Sequence, residues 1–161
     1  SYDPLGRRLS KTIHVMNSTG VEEKKTEYYL YDGQNEIGAF QDKKLKNFRV
    51  LGLNTIAVEL DGHIYAPIID VQKNIRKLID FETRSPLESY DFTAFGDSLQ
   101  ECEFLNPWRF ASKRFDQELG LIYFGKRDYD PEEGRWMTPD PEGFLESVNL
   151  YQYMFNNPLG F

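Results

Sequence analysis

Tyr90-Asp91-Phe92-Thr93-Ala94-Phe95-Gly96-Asp97 contains the features that recur along this chain: an aromatic residue next to an aspartate, then a glycine turn. Tyr2-Asp3-Pro4-Leu5-Gly6-Arg7 and Tyr31-Asp32-Gly33-Gln34-Asn35 have the same order. An Asp side chain can accept hydrogen bonds from backbone N–H groups just downstream, and Gly readily adopts the positive φ of tight turns. Repeated at intervals, such turns predict a ribbon of antiparallel hairpins.

The segments between these turns favour strands, because polar and apolar residues alternate or aromatic residues are dense. Asp61-Gly62 is typical of a two-residue hairpin turn. Near the end of the chain, Asn149 is a candidate N-cap and Pro158 a stop signal, which predicts one short helix. The predicted strands are Arg8–Val15, Thr26–Tyr31, Ile37–Gln41, Lys46–Leu51, Thr55–Leu60, His63–Ile69 and Ile75–Phe81.

Composition restricts the function classes. The chain has 161 residues, a net charge of −7 and 40% hydrophobic residues, which is enough apolar material for one ordinary domain. An acidic chain is a poor ligand for nucleic-acid phosphates, so no nucleic-acid partner is expected. No apolar run is long enough for a membrane span, and the N-terminus is not a signal peptide. The single cysteine, Cys102, is expected to be a small buried or half-buried apolar residue.

The residue composition and patterning of the sequence change after residue 105. Aromatic, Gly, Pro and charged residues become dense and irregular, so we expect a β-ribbon of these Tyr-Asp repeats over 1–105 and a compact, loop-rich core over 106–161. The fold class predicted is all-β. The motifs of the last third are Asn106-Pro107-Trp108-Arg109-Phe110, Gly120-Leu121-Ile122-Tyr123-Phe124-Gly125, Arg127-Asp128-Tyr129-Asp130-Pro131, Gly134-Arg135-Trp136, Pro139-Asp140-Pro141-Glu142-Gly143, Asn149-Leu150-Tyr151 and Asn156-Asn157-Pro158.

This ordered set resembles the Rhs-repeat-associated core, the conserved end of Rhs/YD-repeat polymorphic toxins. The resemblance is close over residues 106–161 and looser over the YD turns. It implies a hollow β-shell that encloses a C-terminal toxin and is closed by the core. The partners implied are the toxin segment, the remaining YD-repeat shell and a component of a secretion machinery, in a secreted or cell-surface protein.

The resemblance also implies an intramolecular aspartic protease that cuts the chain just downstream of Phe161. The family's pattern places the two catalytic carboxylates on Asp128 and Asp140, with Arg127 beside them. An aspartic protease needs one ionised carboxylate to polarise water and one protonated carboxyl to donate to the scissile carbonyl. A strand, a turn at Glu132-Glu133-Gly134 and a return strand could bring the pair together.

Other interpretations of these residues stay open. Asp140 lies between two prolines and could start a turn, Asp130 precedes Pro131 as a turn residue, and Arg127 could be a structural ion-pair partner. The chain could instead be a non-catalytic structural or adhesive module that binds glycans on aromatic ribbon residues such as Tyr28, Tyr29 and Tyr31. No His/Cys/Asp cluster has metal-ligand spacing, so neither a metal nor a cofactor is expected.

Overall fold

A computed structural model describes residues 1–16, 22–100, 104–141, 143 and 149–159. Its main element is an antiparallel sheet in which eight strands lie side by side in chain order, each paired with the next. The prediction of an all-β hairpin ribbon is therefore confirmed. The eight strands are β1 Ser10–Met16, β2 Glu22–Asp32, β3 Asn35–Gln41, β4 Lys44–Leu51, β5 Thr55–Leu60, β6 His63–Ile69, β7 Ile75–Asp80 and β8 Pro86–Ser89.

Tight turns connect the strands where the sequence indicated them. At the β5–β6 hairpin, Leu60 pairs with His63, and the two residues between them have φ of 46° at Asp61 and 88° at Gly62. Two successive positive φ values are those of a type I′ turn, whose twist matches that of the flanking strands. At the first YD turn, Asp3 Oδ1 accepts hydrogen bonds from the backbone N–H groups of Leu5 and Arg7, both at 2.9 Å.

A second antiparallel sheet forms in the last third of the chain. Its strands are β9 Arg114–Asp116, β10 Leu121–Tyr123, β11 Asp128–Asp130 and β12 Arg135–Trp136, again adjacent in chain order. Phe110, Ile122, Tyr129 and Trp136 form its buried hydrophobic cluster, against which Phe124 and Tyr153 pack. The predicted division at residues 105 and 106 falls between the two sheets and stays a prediction.

The last third also contributes to the core of the large sheet. Val58, Tyr65 and Leu78 point to one face of the ribbon, where Trp108 is fully buried among them. Because side chains alternate along a strand, the other face carries Val50, Ile64 and Ile68, which are about half exposed. Only one face of the ribbon is thus covered by the rest of the described chain.

Buried ion pairs join the two sheets. Glu36 of β3 pairs with Arg114 of β9 at 2.5 Å, and both side chains are about 95% buried. Arg8, which precedes β1, pairs with Asp116 at the end of β9. Burial alone would raise the pKa of Asp116, but its bonds to Arg8 and Lys11 outweigh this effect and hold that pKa below its ordinary value.

The predicted short helix takes a different form. Asn149 does not cap a helix: its side-chain oxygen accepts a hydrogen bond from the Tyr151 N–H at 3.1 Å, closing a local turn. A single 3-10 turn follows at Met154–Asn156, with φ near +50° at each residue. The prediction was wrong in its start and length because Asn serves such turns as well as it serves helix N-caps. Cys102 lies outside the described residues.

Candidate functional site

The candidate site is built on the β11–β12 hairpin, whose course the sequence predicted. Tyr129 pairs with Trp136 and Asp130 with Arg135. Asp130 Oδ1 accepts hydrogen bonds from the N–H groups of Glu132 and Glu133, and Gly134 has a φ of 67°. Asp130 is therefore a turn residue, one of the interpretations left open for it.

Arg127 and Asp140, two of the three predicted site residues, lie in direct contact. Arg127 Nη1 donates to Asp140 Oδ2 at 2.7 Å, and the side chains are 20% and 28% exposed. The Arg127 guanidinium lies 4.0 Å from the centroid of the Trp136 ring. The indole thus holds the cation from one side while the carboxylate binds it from another, which keeps Asp140 beside a fixed positive charge.

Asp128, the third predicted residue, lies in a different environment. It pairs with Tyr123 across β10 and β11, and its Oδ1 is buried with no hydrogen-bond partner among the described residues. Burial raises the pKa of the Asp128 carboxyl; the charge of Asp116 adds to this rise and that of Arg8 opposes it. Such a carboxyl is suited to carry a proton.

The two carboxyl groups point away from each other. Asp128 lies on the face of the small sheet that carries Tyr123 and Arg8, because Arg8 stacks on the Tyr123 ring at 4.3 Å. Arg127 and Asp140 lie on the opposite face, with Trp136. Neighbouring residues of β11 alternate between faces, so Asp128 and Tyr129 point to opposite faces, and Trp136, which pairs with Tyr129, holds Arg127 on the Tyr129 side. The hairpin therefore assembles the Arg127–Asp140 pair but does not place Asp128 next to it.

Two cavities open on the Arg127–Asp140 pair. One, of about 200 Å³, is lined by the pair together with Asn149, Leu150 and other residues up to Phe155. The other, of about 600 Å³, adds Arg7, Lys113 and Lys126 to the same pair. Asp128 lines neither cavity. The pair is partly exposed and borders both cavities.

Sequence reasoning missed two contributors to this site. Trp136 supplies the aromatic surface under Arg127, and its nearness to Gly134 in the G-R-W motif could have drawn attention to it. Arg8 faces Asp128 across a chain separation of 120 positions. No local pattern signals such a contact, because it depends on how the first YD turn packs against the small sheet.

The tyrosines of the adhesive hypothesis are not a common exposed surface. Tyr28 is 59% exposed, whereas Tyr29 is 6% exposed and lies under the guanidinium groups of Arg8 and Arg114. Tyr31 is half-buried and donates a hydrogen bond to the Arg8 carbonyl at 3.0 Å. A sugar could therefore stack on Tyr28 alone among the three.

The described residues contain neither a metal-binding cluster nor a membrane-spanning helix. Among the residues outside the gaps at 17–21, 101–103, 142, 144–148 and 160–161, no three His, Cys, Asp or Glu side chains are grouped to hold a metal ion. Within the same part of the chain, no helix has the length and apolar character needed to cross a membrane.

Known proteins share this fold and its motifs. The teneurin YD-shell family matches residues 14–159. The chain belongs to this family. A crystal structure of TcdB2-TccC3 without its hypervariable C-terminal region superposes on 99% of this YD-shell chain with a TM-score of 0.75 at 19% identity, and 8% of that chain is covered.

Curated relatives of the YD-shell chain include toxins. Double-stranded DNA deaminase toxin A of Burkholderia cenocepacia (strain H111) is 26% identical over 99% of this chain and 13% of its own length. Toxin subunit YenC2 of Yersinia entomophaga is 45% identical over 32% of this chain and 5% of its own length. The YD-shell chain thus spans a small part of these relatives. It is a segment of a YD shell.

Proposed function

We propose that this chain forms part of the wall of a YD-repeat shell, closes one end of it, and so encloses a C-terminal toxin in a secreted or cell-surface protein. The carrying observation is the uninterrupted strand order of the ribbon, with Phe104 and Trp108 packed on one face of it. A ribbon in which each strand pairs only with the next can be extended by further repeats into a wall. The solved relative with a hypervariable C-terminal region supports a variable passenger after the shell.

The proposed partners follow from this arrangement. The remaining YD-repeat shell would pair with the free edges of β1 and β8, which each have one strand neighbour. The toxin segment would follow the closing core, and a component of a secretion machinery would deliver the assembly.

The proposed chemistry is one self-cleavage just downstream of Phe161, by Asp140, Asp128 and Arg127. Asp140, ionised beside Arg127, would take a proton from a water molecule, whose oxygen adds to the scissile carbonyl carbon. Asp128, whose raised pKa favours the protonated form, would donate to the carbonyl oxygen. Collapse of the adduct breaks the C–N bond and returns a proton to Asp128, and the nitrogen leaves as an amine with the proton that Asp140 took from the water.

This dyad requires a rearrangement. Asp128 and Asp140 lie on opposite faces of the small sheet, so the cleaving state must turn Asp128 toward the Arg127–Asp140 pair. β11 has only three residues and β12 only two, so few ladder hydrogen bonds resist such a change. The accessible cavities at the Arg127–Asp140 pair support entry of the substrate segment on that side.

The test is the intact mass of the full-length protein, extended beyond residue 161, in four versions. We expect the unsubstituted protein to be split, and Asp140→Asn and Asp128→Asn to remain whole, because each removes one carboxyl of the dyad. Asp91→Asn, which breaks an exposed ion pair with Arg76 on the ribbon, is the matched control and should be split normally.

Each other outcome has a definite meaning. An Asp140→Asn protein that is cut as efficiently as the unsubstituted one would exclude the protease. Normal cutting by Asp128→Asn alone would exclude the dyad and leave Asp140 with Arg127 as the cleaving groups. If all four versions stay whole, the shell has no protease.

A further inference from the structure

A third cavity, which Arg127 and Asp140 do not line, lies where the β4–β5 hairpin meets the turn before β9. It has a volume of about 370 Å³, and its lining includes Arg49, Lys73, Lys113, Thr55, Asn54 and Gln72. No Asp or Glu is among the described residues that line it. Three cations without an acidic neighbour on the cavity wall are unusual in a chain whose net charge is −7.

The nearest carboxylate does not balance these charges. Glu36 Oε1 already accepts hydrogen bonds from Arg114 at 2.5 Å and from the Trp108 indole at 3.3 Å. Arg49 lies on the other side of Glu36 and binds the carbonyl oxygen of that residue rather than its carboxylate. One carboxylate thus faces Arg49, Arg114 and Lys113, which leaves an excess of positive charge next to the cavity.

The Arg49 guanidinium and the backbone around the cavity are held in place by the fold. Arg49 is 6% exposed, and its Nη1 donates to the Ser112 carbonyl at 2.5 Å. Ser112 in turn donates its hydroxyl to the Lys73 carbonyl at 2.7 Å. This chain of bonds ties β4, the β6–β7 loop and the turn before β9 around one cavity, so an anion there would meet a guanidinium that is already positioned.

Among the cations of the cavity wall, Lys113 has an ammonium that is available to donate to a ligand. Its ammonium lies 5.8 Å from the Phe124 ring and forms no ion pair with any described residue. Burial, together with the charges of Arg49 and Lys73, lowers the pKa of the Lys113 amine. Thr55, on the same wall, is 5% exposed and its hydroxyl has no hydrogen-bond partner among the described residues. Both groups would gain from a bound oxyanion.

We propose that this cavity binds an oxyanion, a carboxylate or phosphate group, through the ammonium groups of Lys113 and Lys73 with the Arg49 guanidinium behind them. The site needs neither the proposed protease nor its substrate. Its volume exceeds that of one inorganic ion, so the oxyanion can be free or can belong to an acidic side chain of a neighbouring polypeptide segment. Phosphate and carboxylate share the chemistry that the site recognises, and the experiment separates the two sources.

The test measures how fast individual lysines react with acetic anhydride near neutral pH, by peptide mass spectrometry of the full-length protein. The probes are inorganic phosphate and triglutamate, each compared with chloride at equal ionic strength. Bound oxyanion covers the Lys113 amine and favours its protonated, unreactive form, so phosphate at twice its Kd should slow labelling of Lys113 about threefold. Lys24, an exposed strand lysine, should be unaffected.

Variants sharpen the result. Lys73→Gln should shift protection of Lys113 to higher probe concentration, whereas the matched Lys24→Gln should leave it unchanged. Protection by triglutamate at lower concentration than phosphate would identify polypeptide carboxylates as the source; the reverse order would identify free phosphate. If neither probe slows labelling of Lys113 more than chloride does, or if Lys73→Gln changes nothing, the proposal is overturned.

Discussion

Asp128 is a residue whose burial lowers the stability of the folded state. Its Oδ1 is buried without a hydrogen-bond partner among the described residues, and burial raises the pKa of its carboxyl. Above that raised pKa the folded state holds a poorly solvated charge, whereas the unfolded chain solvates the same charge fully. Groups of this kind are often retained because function needs them, at the expense of stability.

The Asp128→Asn substitution should therefore stabilise the chain near neutral pH, by about 1 kcal/mol, because a buried unsatisfied group destabilises more when it is charged than when it is neutral. The gain should fade as pH falls below the ordinary value of 3.8, since the carboxyl is then neutral in both states. Thermal unfolding at several pH values measures this. Asp42→Asn, an exposed turn position, is the control; an equal gain there would contradict the assignment to burial.

At the scale of elements, the Glu36–Arg114 pair connects the ribbon with the small sheet. It links β3 to β9, and Arg114 also binds the Asn47 side chain of β4 at 2.7 Å. Burial alone would lower the pKa of Arg114, but the charge of Glu36 outweighs it and the net pKa is raised. The attraction across this boundary thus prevails over the loss of hydration.

Substituting Arg114→Met should lower the free energy of unfolding by about 3 to 5 kcal/mol, because the Glu36 charge stays buried without its partner. Denaturant unfolding of the dilute chain, followed by tryptophan fluorescence, measures the change; Trp108 lies against both residues. Lys46→Met, which breaks an exposed pair with Asp61, should cost about 1 kcal/mol or less. Similar losses for both variants would show that the buried pair does not join the sheets.

At the scale of the whole molecule, the ribbon has surfaces that a larger shell would cover. β1 and β8 are the outer strands of the large sheet, and Val50, Ile64 and Ile68 share a face that no described segment covers. Pro86 begins β8 and lacks a backbone N–H, which weakens pairing at that edge. The exposed aliphatic face remains the stronger route to association.

Residues 1–161 expressed alone should accordingly be oligomeric or poorly soluble. Light scattering across a concentration series measures this, and Ile64→Lys with Ile68→Lys should restore a monomer if the aliphatic face drives association. Continued association of the double variant would direct attention to the strand edges. A clean monomer of the unsubstituted chain would contradict the prediction.

The sequence alone determined the features that depend on a few neighbouring residues. Alternation of polar and apolar residues and the Gly turns placed the ribbon strands and the β11–β12 hairpin, because period two and positive φ are local properties. The ordered motifs after residue 105 indicated the YD-shell family, and Asp140 with Arg127 as a contact. The helix predicted from Asn149 was wrong because an Asn side chain accepts the same local hydrogen bond in turns and at helix N-caps.

Only the tertiary structure decided which groups meet across long separations. It placed Asp128 with Arg8 rather than beside Asp140, joined Glu36 to Arg114, and gathered Arg49, Lys73 and Lys113 around one cavity. These contacts depend on how two sheets pack and on which face of a strand each side chain occupies. Sequence patterns report on residues within one turn or one strand. Burial and ion pairing depend instead on how the whole chain packs.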